Sequence, residues 1–571
     1  MDQPYQQNNP DTEQNPSASI PPNAWNAPPE ASTVPPVFTY PPPTNPYAPP
    51  TYYPPVYTPP AKPIRHPATG RDIAFAVVCA IFCILCADNY LWGGSGLGAS
   101  LSTIGLILTG IFYLGRHVQK ITFYGIICVL AYLACAASLS FTDAGGTKLL
   151  VILMMIPLSA ASILEFMDIR SHLNGDFHNI ADLFYAVFAL TFGKIGNTFY
   201  MLFHKTGNEG AVGKRKTGSV ILGLVISLPA LLIIIPLLKS SDIAFSSLMD
   251  QFSPKNLSEF FAAGLIGLSL FILIFGRMAA SVHISRPVCV RQRNSGLEPA
   301  LIATFLSVIS AVYLLYLFSQ LSYFFSAFSG FLPRNFTVAE YARRGFFEMT
   351  AVCIFNLLII FLANLLCRKE AGKAPLSVRL LSVFFCIFSL ALAATSFSKV
   401  YLYIQRFGMT RLRITTTIFI VFLAVVFITV IFRLLIQKVP YIKIALAAAA
   451  LLLVATAFLN VDRVIAKYNV EAYLSGHLES IDMDTISELD SDAITPYLLR
   501  LTDDENSSVS STAKRILTQK ATDLFEIENG RIVKARSSLR SWNLCTASAE
   551  KLLDRHFDQY YDSRYVRSEW D

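Results

Sequence analysis

Apolar residues fill long stretches of this chain between Asp72 and Asn460, and short polar segments separate them. Because a helix rises 1.5 Å per residue, about 20 consecutive apolar residues are needed to cross roughly 30 Å of hydrocarbon. By that criterion the pattern predicts about eleven transmembrane helices. They lie near residues 72–91, 96–115, 121–141, 148–166, 218–239, 260–280, 300–326, 347–366, 377–397, 413–436 and 442–460. The segment 180–203 is apolar too, but Asp182 and Lys194 interrupt it, which favours an interfacial or re-entrant helix over a twelfth span.

The pattern changes at both ends and divides the chain into three regions. Residues 1–70 hold 21 of the 31 prolines and few aliphatic residues, which predicts a disordered tail with polyproline II character. Residues 71–460 form the predicted multi-pass domain. Residues 461–571 are polar, with apolar residues at helical spacing near 494–501, 508–527 and 548–561. We therefore predict an all-α polytopic membrane protein with a disordered Pro-rich tail and a small helical C-terminal domain.

Composition and charge agree with this organisation. Only 15% of the 571 residues are charged, whereas soluble domains average about 25%. The net charge of +7 is the sum of an acidic C-terminal region and a basic remainder. Residues 461–571 contain 14 Lys+Arg and 20 Asp+Glu, a net of −6, so the remainder carries 32 against 19, or +13. This distribution is typical of basic membrane-flanking loops with an acidic tail, and it does not indicate nucleic-acid binding.

Two Pro-Pro-x-Tyr segments in the N-terminal tail, Pro49–Tyr52 and Pro54–Tyr57, match the pattern that WW modules bind. A tail so rich in proline and tyrosine produces such matches by chance. A protein partner that binds this tail or the C-terminal helices is therefore an open expectation. The lipid bilayer is the partner that the spans themselves require.

Lys and Arg follow the second, fourth, sixth and eighth predicted spans, whereas the loops after the first, third and fifth are nearly neutral. The positive-inside rule then predicts a cytoplasmic N-terminus, and eleven spans leave the C-terminal tail outside. Six arginines on the predicted outer side oppose the rule: Arg334, Arg343, Arg344, Arg406, Arg411 and Arg413. Either one span is miscounted or specific contacts hold these arginines.

Three patterns that suggest cofactor or metal chemistry fail on closer inspection. The glycine-rich loop at 207–217 lacks the spacing of a phosphate-binding loop, and the two histidines within 172–178 match no metal-ligand frame. Cys79, Cys83 and Cys86 share one helix face, but inside an apolar span they are typical of small residues at a helix–helix contact. We predict no cofactor and no metal, and the lack of a nucleophile–base pair argues against an enzyme.

Two segments at span boundaries combine tyrosines, arginines and a glycine: Glu340–Glu348 and Tyr401–Arg413. Guanidinium groups bind phosphate or carboxylate in a forked geometry, and tyrosines sit at the headgroup level. If the segments face each other, they form an anion or lipid-headgroup site; interfacial anchoring would explain each one alone. The candidate residues are Tyr341, Arg343, Arg344, Glu348, Tyr403, Arg406, Arg411 and Arg413.

Four segments occur in order along the chain: Leu237–Phe245, Tyr341–Phe347, Tyr403–Arg413 and Asn460–Asn469. Together they resemble a bacterial multi-pass membrane family that is known only as a domain of unknown function. The resemblance covers roughly residues 222–493 and leaves the first four spans outside. It implies a bacterial cytoplasmic membrane, of Gram-positive type, and carries over no activity, substrate or catalytic residue.

Two functions fit these observations. The first is a transporter or flippase for a small anionic or lipid-like molecule, although no inverted repeat is visible to support it. The alternative is a membrane-anchored sensor or scaffold that uses its N- and C-terminal soluble arms.

Overall fold

The structure, a computed structural model, describes residues 69–170, 179–193, 257–283, 296–329, 346–369, 373–436, 438–528 and 530–565, with isolated positions between 195 and 241. The Pro-rich tail predicted at 1–70 lies almost wholly outside these ranges. The helices of the membrane region are α1 (Gly70–Leu91), α2 (Leu97–Leu114), α3 (Phe123–Ser138), α4 (Gly145–Phe166), α5 (Ile180–Phe192), α6 (Leu257–His283), α7 (Pro299–Ser329), α8 (Phe346–Leu366), α9 (Leu376–Phe407), α10 (Arg411–Ile436) and α11 (Tyr441–Leu459).

Nine of the helices that the structure describes are long and apolar enough to cross a membrane, and they fall on nine of the predicted spans. The prediction of an all-α polytopic membrane fold is confirmed. α3, at the third predicted span, has 16 residues and is shorter than the others. α5 is also short, and its exposed Phe184 and Phe188 fit the interfacial helix expected there. The fifth predicted span, 218–239, lies outside the described residues apart from isolated positions.

The described helices pack into two groups. In the first group, α1 packs against α2 and α6, α3 against α4, and α11 against both α3 and α4. In the second group, α9 packs against α7, α8 and α10. Neighbouring helices α10 and α11 join the groups. Among the described helices, the first group contains two hydrophobic cores, around Phe275 and around Tyr132, and the second group contains another, around Phe385.

Small residues bring α1 and α6 together. Cys79, Cys83 and Cys86 are buried on the face of α1 that belongs to the core shared with α6. A Cβ atom on Gly267 of α6 would lie only 2.5 Å from the Cα atom of Ile84, so the two backbones are in close contact. Without a hydrophobic driving force between helices in lipid, such close van der Waals packing holds them together. The cysteines therefore pack as small side chains, as the sequence indicates.

The loops between the described helices gather at two ends of the bundle. The end of α1 near Asp88 contacts the C-terminal domain, whereas Thr69 lies at the other end of the same 22-residue helix. We call these ends the domain side and the Thr69 side. Phe75 of α1 stacks on Phe275 of α6 at 5.6 Å, which places the end of α6 on the Thr69 side.

The C-terminal domain is mostly helical, as predicted, but it also contains a β-hairpin that the sequence analysis did not predict. Its helices are α12 (Val461–Leu474), α13 (Met483–Ser487), α14 (Thr495–Leu498), α15 (Ser507–Leu524), α16 (Leu544–Arg555) and α17 (Phe557–Tyr560). α15 ends at Leu524, short of the predicted Ile527, and the antiparallel strands β1 (Phe525–Glu528) and β2 (Arg531–Ala535) follow. Leu498, Leu517 and Tyr560 are buried in the domain's own core.

Candidate functional site at the junction of bundle and domain

The residues predicted to form an anion site divide between described and undescribed parts of the chain. Tyr341, Arg343 and Arg344 lie outside the described residues. Glu348 is exposed in the first turn of α8, close enough to Lys399 of α9 for an electrostatic interaction. Whether the two arginine–tyrosine segments face each other therefore stays a prediction.

Arg413 and Tyr403 shape the corner between α9 and α10. Arg413 Nη1 donates to the carbonyl oxygens of Phe407 and Gly408 at 3.1 and 2.5 Å. Its guanidinium carbon lies 4.2 Å from the centroid of the Tyr403 ring. The last carbonyls of a helix lack internal partners, so a cation at this end stabilises α9. Arg406, in the last turn of α9, is exposed.

Arg411 is bound to the C-terminal domain. Its Nε and Nη2 atoms donate to the two carboxylate oxygens of Asp462 at 2.7 and 2.5 Å, and Asp490 lies 3.2 Å from Nη2. Asp462 is only 1% exposed and also accepts the backbone N–H of Ser491 at 3.2 Å. Forked, charge-assisted bonds of this kind are among the stronger hydrogen bonds in proteins. Specific contacts with Asp462 and Asp490 therefore hold Arg411 on the domain side of the bundle.

Asn469 of α12 binds the same corner. Its side chain accepts from the Met409 N–H at 2.7 Å and donates to the Met409 carbonyl at 2.9 Å. Gly408 has a φ of +76°, and a Cβ atom there would lie 2.6 Å from Asn469 Oδ1. Only glycine meets both conditions without strain. Two of the segments that resemble the membrane family, Tyr403–Arg413 and Asn460–Asn469, thus pack against each other.

Asp143, in the loop between α3 and α4, receives a second set of contacts from the domain. It accepts from Ser491 Oγ and the Asp492 N–H, both at 2.5 Å, and from Asn460 Nδ2 at 3.0 Å. Asn460 is 2% exposed. Burial raises the pKa of Asp143 above its ordinary value, although the hydrogen bonds from Ser491 and Asn460 oppose that rise. Sequence reasoning missed Asp143 because a single loop aspartate carries no signal of its partners.

A third set of contacts comes from Arg540–Cys545, the segment before α16. Arg540 Nη2 lies 2.8 Å from the carboxylate of Asp88 at the end of α1. Asn543 is 3% exposed and donates to two carbonyls of the α3–α4 loop at 2.7 and 3.2 Å. The Cys545 thiol donates to a third carbonyl of that loop at 3.0 Å, and burial raises its pKa to about 12.

We call these contacts together the polar seam. It consists of Asp88, Asp143, Arg411, Asn460, Asp462, Asn469, Ser491, Asp492, Arg540, Asn543 and Cys545. Asp88 and Asp143 belong to the first helix group, whereas Arg411 belongs to the second. Because a buried polar group that loses its partner costs about 1–3 kcal/mol, the seam fixes the domain to both groups.

Other buried polar groups lie within the bundle. Asn356 and Asn364 of α8 donate to Ser389 and Ser382 of α9 at 2.9 and 3.1 Å, so they join these two helices. Arg277 of α6 is 7% exposed and donates to the Ser159 hydroxyl of α4 at 2.8 Å. Within the described ranges, no three His, Cys, Asp or Glu side chains gather as metal ligands. The histidines within 172–178 and the loop 207–217 lie outside those ranges.

Fold and site together define a polytopic α-helical membrane protein with a C-terminal domain docked on one end of its helices. The family model described as "Domain of unknown function (DUF4153)" matches residues 101–501, and the chain belongs to this family. The match begins well before residue 222, so the expectation that the first four spans lie outside the family is wrong for α2, α3 and α4, whereas α1 does lie outside the match. No curated protein and no solved structure shows significant similarity.

The limits of the family match divide the polar seam. Asp143, Arg411, Asp462 and Ser491 lie inside residues 101–501. Asp88 and the segment Arg540–Cys545 lie outside them. The contacts made by Arg411 and Asp143 are therefore formed within the family domain itself, and the contact between Asp88 and Arg540 is added by flanking sequence.

Proposed function

We propose that the protein is a membrane-anchored sensor, in which the C-terminal domain couples a signal on the outer side to the two helix groups. The observation that supports this proposal is the polar seam. The domain contacts the first group through Asp143 and the second through Arg411, so any displacement of the domain acts on both groups together.

The proposed orientation rests on the positive-inside rule. The Thr69 side carries many cations in its loops, among them Arg116, Lys120, Arg368 and Lys369. On the domain side, Arg411 is neutralised by a buried carboxylate. The Thr69 side is then cytoplasmic, the domain lies outside, and the membrane is a bacterial cell membrane, as the sequence resemblance implies.

Hydrogen exchange on the full-length protein in lipid nanodiscs tests this coupling. Asp462→Asn weakens the seam at the second helix group, and the exposed Asp490→Asn serves as the matched control. A sensor predicts faster exchange both at the α9–α10 corner and in the α2–α3 loop on the far side of the bundle. Faster exchange at the α9–α10 corner alone contradicts coupling through the membrane.

A second candidate is transport or flipping of a small anionic or lipid-like molecule. The division of the described helices into two groups joined along α10 and α11 favours it, because rocking of one bundle against another is a common transport movement. Reconstituted vesicles with a fluorescent anionic lipid test this function. Neutralising Arg343, Arg344 and Arg406 together abolishes flipping if they form the predicted site, and an unchanged rate rejects that site.

A further inference from the structure

The segment Arg536–Leu544, which joins the β-hairpin to α16, lies directly on the ends of the transmembrane helices. The N–H groups of Leu97 and Gly98, in the first turn of α2, donate to the carbonyls of Trp542 and Arg540 at 2.8 and 2.9 Å. A third backbone hydrogen bond, of 2.9 Å, joins the last residue of the segment to the α3–α4 loop. We call Arg536–Leu544 the interfacial segment.

The interfacial segment lies at the level where the hydrocarbon of the bilayer ends. α1 has 22 residues and is therefore about 33 Å long, close to the roughly 30 Å of a bilayer core. The loop that follows α1, residues 92–96, is then at the headgroup level, and the segment crosses this loop. The two backbones are so close that a Cβ atom on Gly96 would collide with the carbonyls of Ser541 and Trp542.

Three apolar side chains of the interfacial segment are exposed. Leu539 is 81% exposed, Leu544 44% and Trp542 37%. The neighbouring loops of the bundle expose large apolar side chains as well, Trp92 after α1 and Phe141 after α3. The apolar surface at this end of the bundle thus extends onto the C-terminal domain. Tryptophan is enriched at the boundary between membrane and water, where one side of its ring is apolar and the other is wet.

The charges of the C-terminal domain are segregated, and its basic part surrounds this apolar surface. Residues 525–549 contain 4 Lys+Arg and 2 Asp+Glu, a net of +2, whereas the rest of residues 461–571 contains 10 against 18, a net of −8. The four cations are all exposed: Arg531, Lys534, Arg536 and Arg540. The two cations of the hairpin lie opposite glutamates, and Arg540 binds Asp88. Arg536, three residues before Leu539, is therefore the cation best placed for a lipid headgroup.

We infer that the interfacial segment is a membrane contact of the C-terminal domain, in which Leu539 and Trp542 enter the headgroup layer and Arg536 binds anionic phospholipids. The surrounding bilayer is the partner that fits, because it lies at the level of these side chains. An acidic domain is repelled by an anionic membrane surface unless its basic part faces that surface. The backbone of the same segment binds α2, so membrane composition sets how firmly the domain is docked. This inference does not depend on the proposed sensor function.

Fluorescence quenching of the full-length protein in lipid nanodiscs tests the membrane contact. The Trp542 signal is the difference between the emission of the wild type and that of Trp542→Phe. Lipids brominated near the headgroup end of the acyl chain are expected to reduce this signal about twofold, and lipids brominated near the terminal methyl are expected to reduce it less. Equal emission with and without the headgroup-proximal bromines overturns the inference, since the surface then faces water or another protein.

The exposed Leu539 allows a variant that leaves the fold of the domain intact. Leu539→Glu places a charge at the boundary and is expected to abolish the quenching of Trp542 by the headgroup-proximal bromines. The same substitution at Leu474, an exposed residue at the end of α12, is the matched control and should leave the quenching unchanged. Quenching of the Leu539→Glu protein equal to that of the wild type overturns the insertion of this side chain.

Hydrogen exchange of the Leu97 and Gly98 amides tests the headgroup preference, because both amides donate to the interfacial segment. We expect exchange about fivefold slower in nanodiscs that contain phosphatidylglycerol than in phosphatidylcholine alone, and this difference should vanish at high salt. Arg536→Gln is expected to remove the difference, whereas Arg515→Gln, at an exposed arginine of α15, is the matched control and retains it. Equal exchange in the two lipids overturns the binding of anionic headgroups, and a difference that survives Arg536→Gln overturns the role of Arg536.

Discussion

Replacing Asp462 by Asn is expected to open the polar seam. The carboxylate accepts two charge-assisted hydrogen bonds from Arg411 and one from the Ser491 N–H. Hydrogen bonds to charged groups contribute about 1.5–3 kcal/mol each. Two facts reduce that sum: the Arg411 side chain is 39% exposed, and Asp490 remains at 3.2 Å as an alternative partner. Asparagine also keeps one acceptor oxygen. We therefore expect a loss of about 2–3 kcal/mol in the free energy of opening the seam.

Hydrogen exchange of the Ser491 amide measures this loss, because the amide is buried and donates to Asp462. A change of 1.4 kcal/mol corresponds to a factor of ten, so the expected acceleration is about 30- to 150-fold. The control is Asp490→Asn. The Asp490 side chain is 69% exposed, so its loss is expected to cost less than about 1 kcal/mol, or about fivefold. Exchange rates in the two variants that agree within about threefold would refute the argument from burial.

Three further predictions concern Gly408, the protonation of Asp143 and the buried cation Arg277. Gly408→Ala is expected to cost about 1–3 kcal/mol of stability in thermal unfolding, because its φ is +76° and the added Cβ would meet Asn469. The control Gly530→Ala, at φ +72° with open space around it, should cost about 1 kcal/mol. Equal costs would contradict the steric contact between a Cβ at position 408 and Asn469. Because the pKa of Asp143 is raised when the domain is docked, the docked protein binds more protons than the undocked one. Docking should therefore strengthen as the pH falls from neutral through the raised pKa towards the ordinary value of 3.8, and exchange of the amides in the polar seam measures it. Asp143→Asn should remove this dependence, and an identical pH profile would contradict it. Arg277→Met should leave the melting temperature unchanged or raise it, because an apolar chain replaces a buried cation whose partner among the described residues is the neutral Ser159 hydroxyl. A loss above about 2 kcal/mol would reveal a further partner that stabilises the cation.

The membrane fold was predictable because its signal is local. Each span is a run of apolar residues of a length that the bilayer sets, and nine of the predicted runs coincide with helices of that length in the described residues. The hairpin in the domain was missed although its signal is present in the sequence. Asn529 and Gly530 form the dipeptide most typical of a two-residue hairpin turn, and Phe525–Glu528 alternates apolar and charged residues.

The polar seam was not predictable because its pairs are distant along the chain. Arg411 and Asp462 are separated by 51 residues, and Asp143 and Asp492 by 349. The arginines that oppose the positive-inside rule were the one available signal. For Arg411 the structure supplies the reason in a buried carboxylate from another domain, which no spacing rule relates to it. The anion site that includes Tyr341, Arg343 and Arg344 remains a prediction from the sequence.

The Cys545 thiol offers a direct test of the claim that the C-terminal domain couples the two helix groups. Burial raises its pKa to about 12 and the thiol donates to a carbonyl of the α3–α4 loop, so the docked protein should react slowly with a maleimide. The measurement is the alkylation rate of Cys545 with and without Asp462→Asn. Cys289 is replaced by Ser throughout, so that the other cysteines present are the eight that the structure shows buried. Coupling predicts that Asp462→Asn, which weakens the domain's contact with the second helix group, accelerates alkylation of Cys545, which contacts the first group, at least tenfold, whereas Asp490→Asn does not. An alkylation rate unchanged by Asp462→Asn, while exchange at Ser491 accelerates, would contradict the coupling.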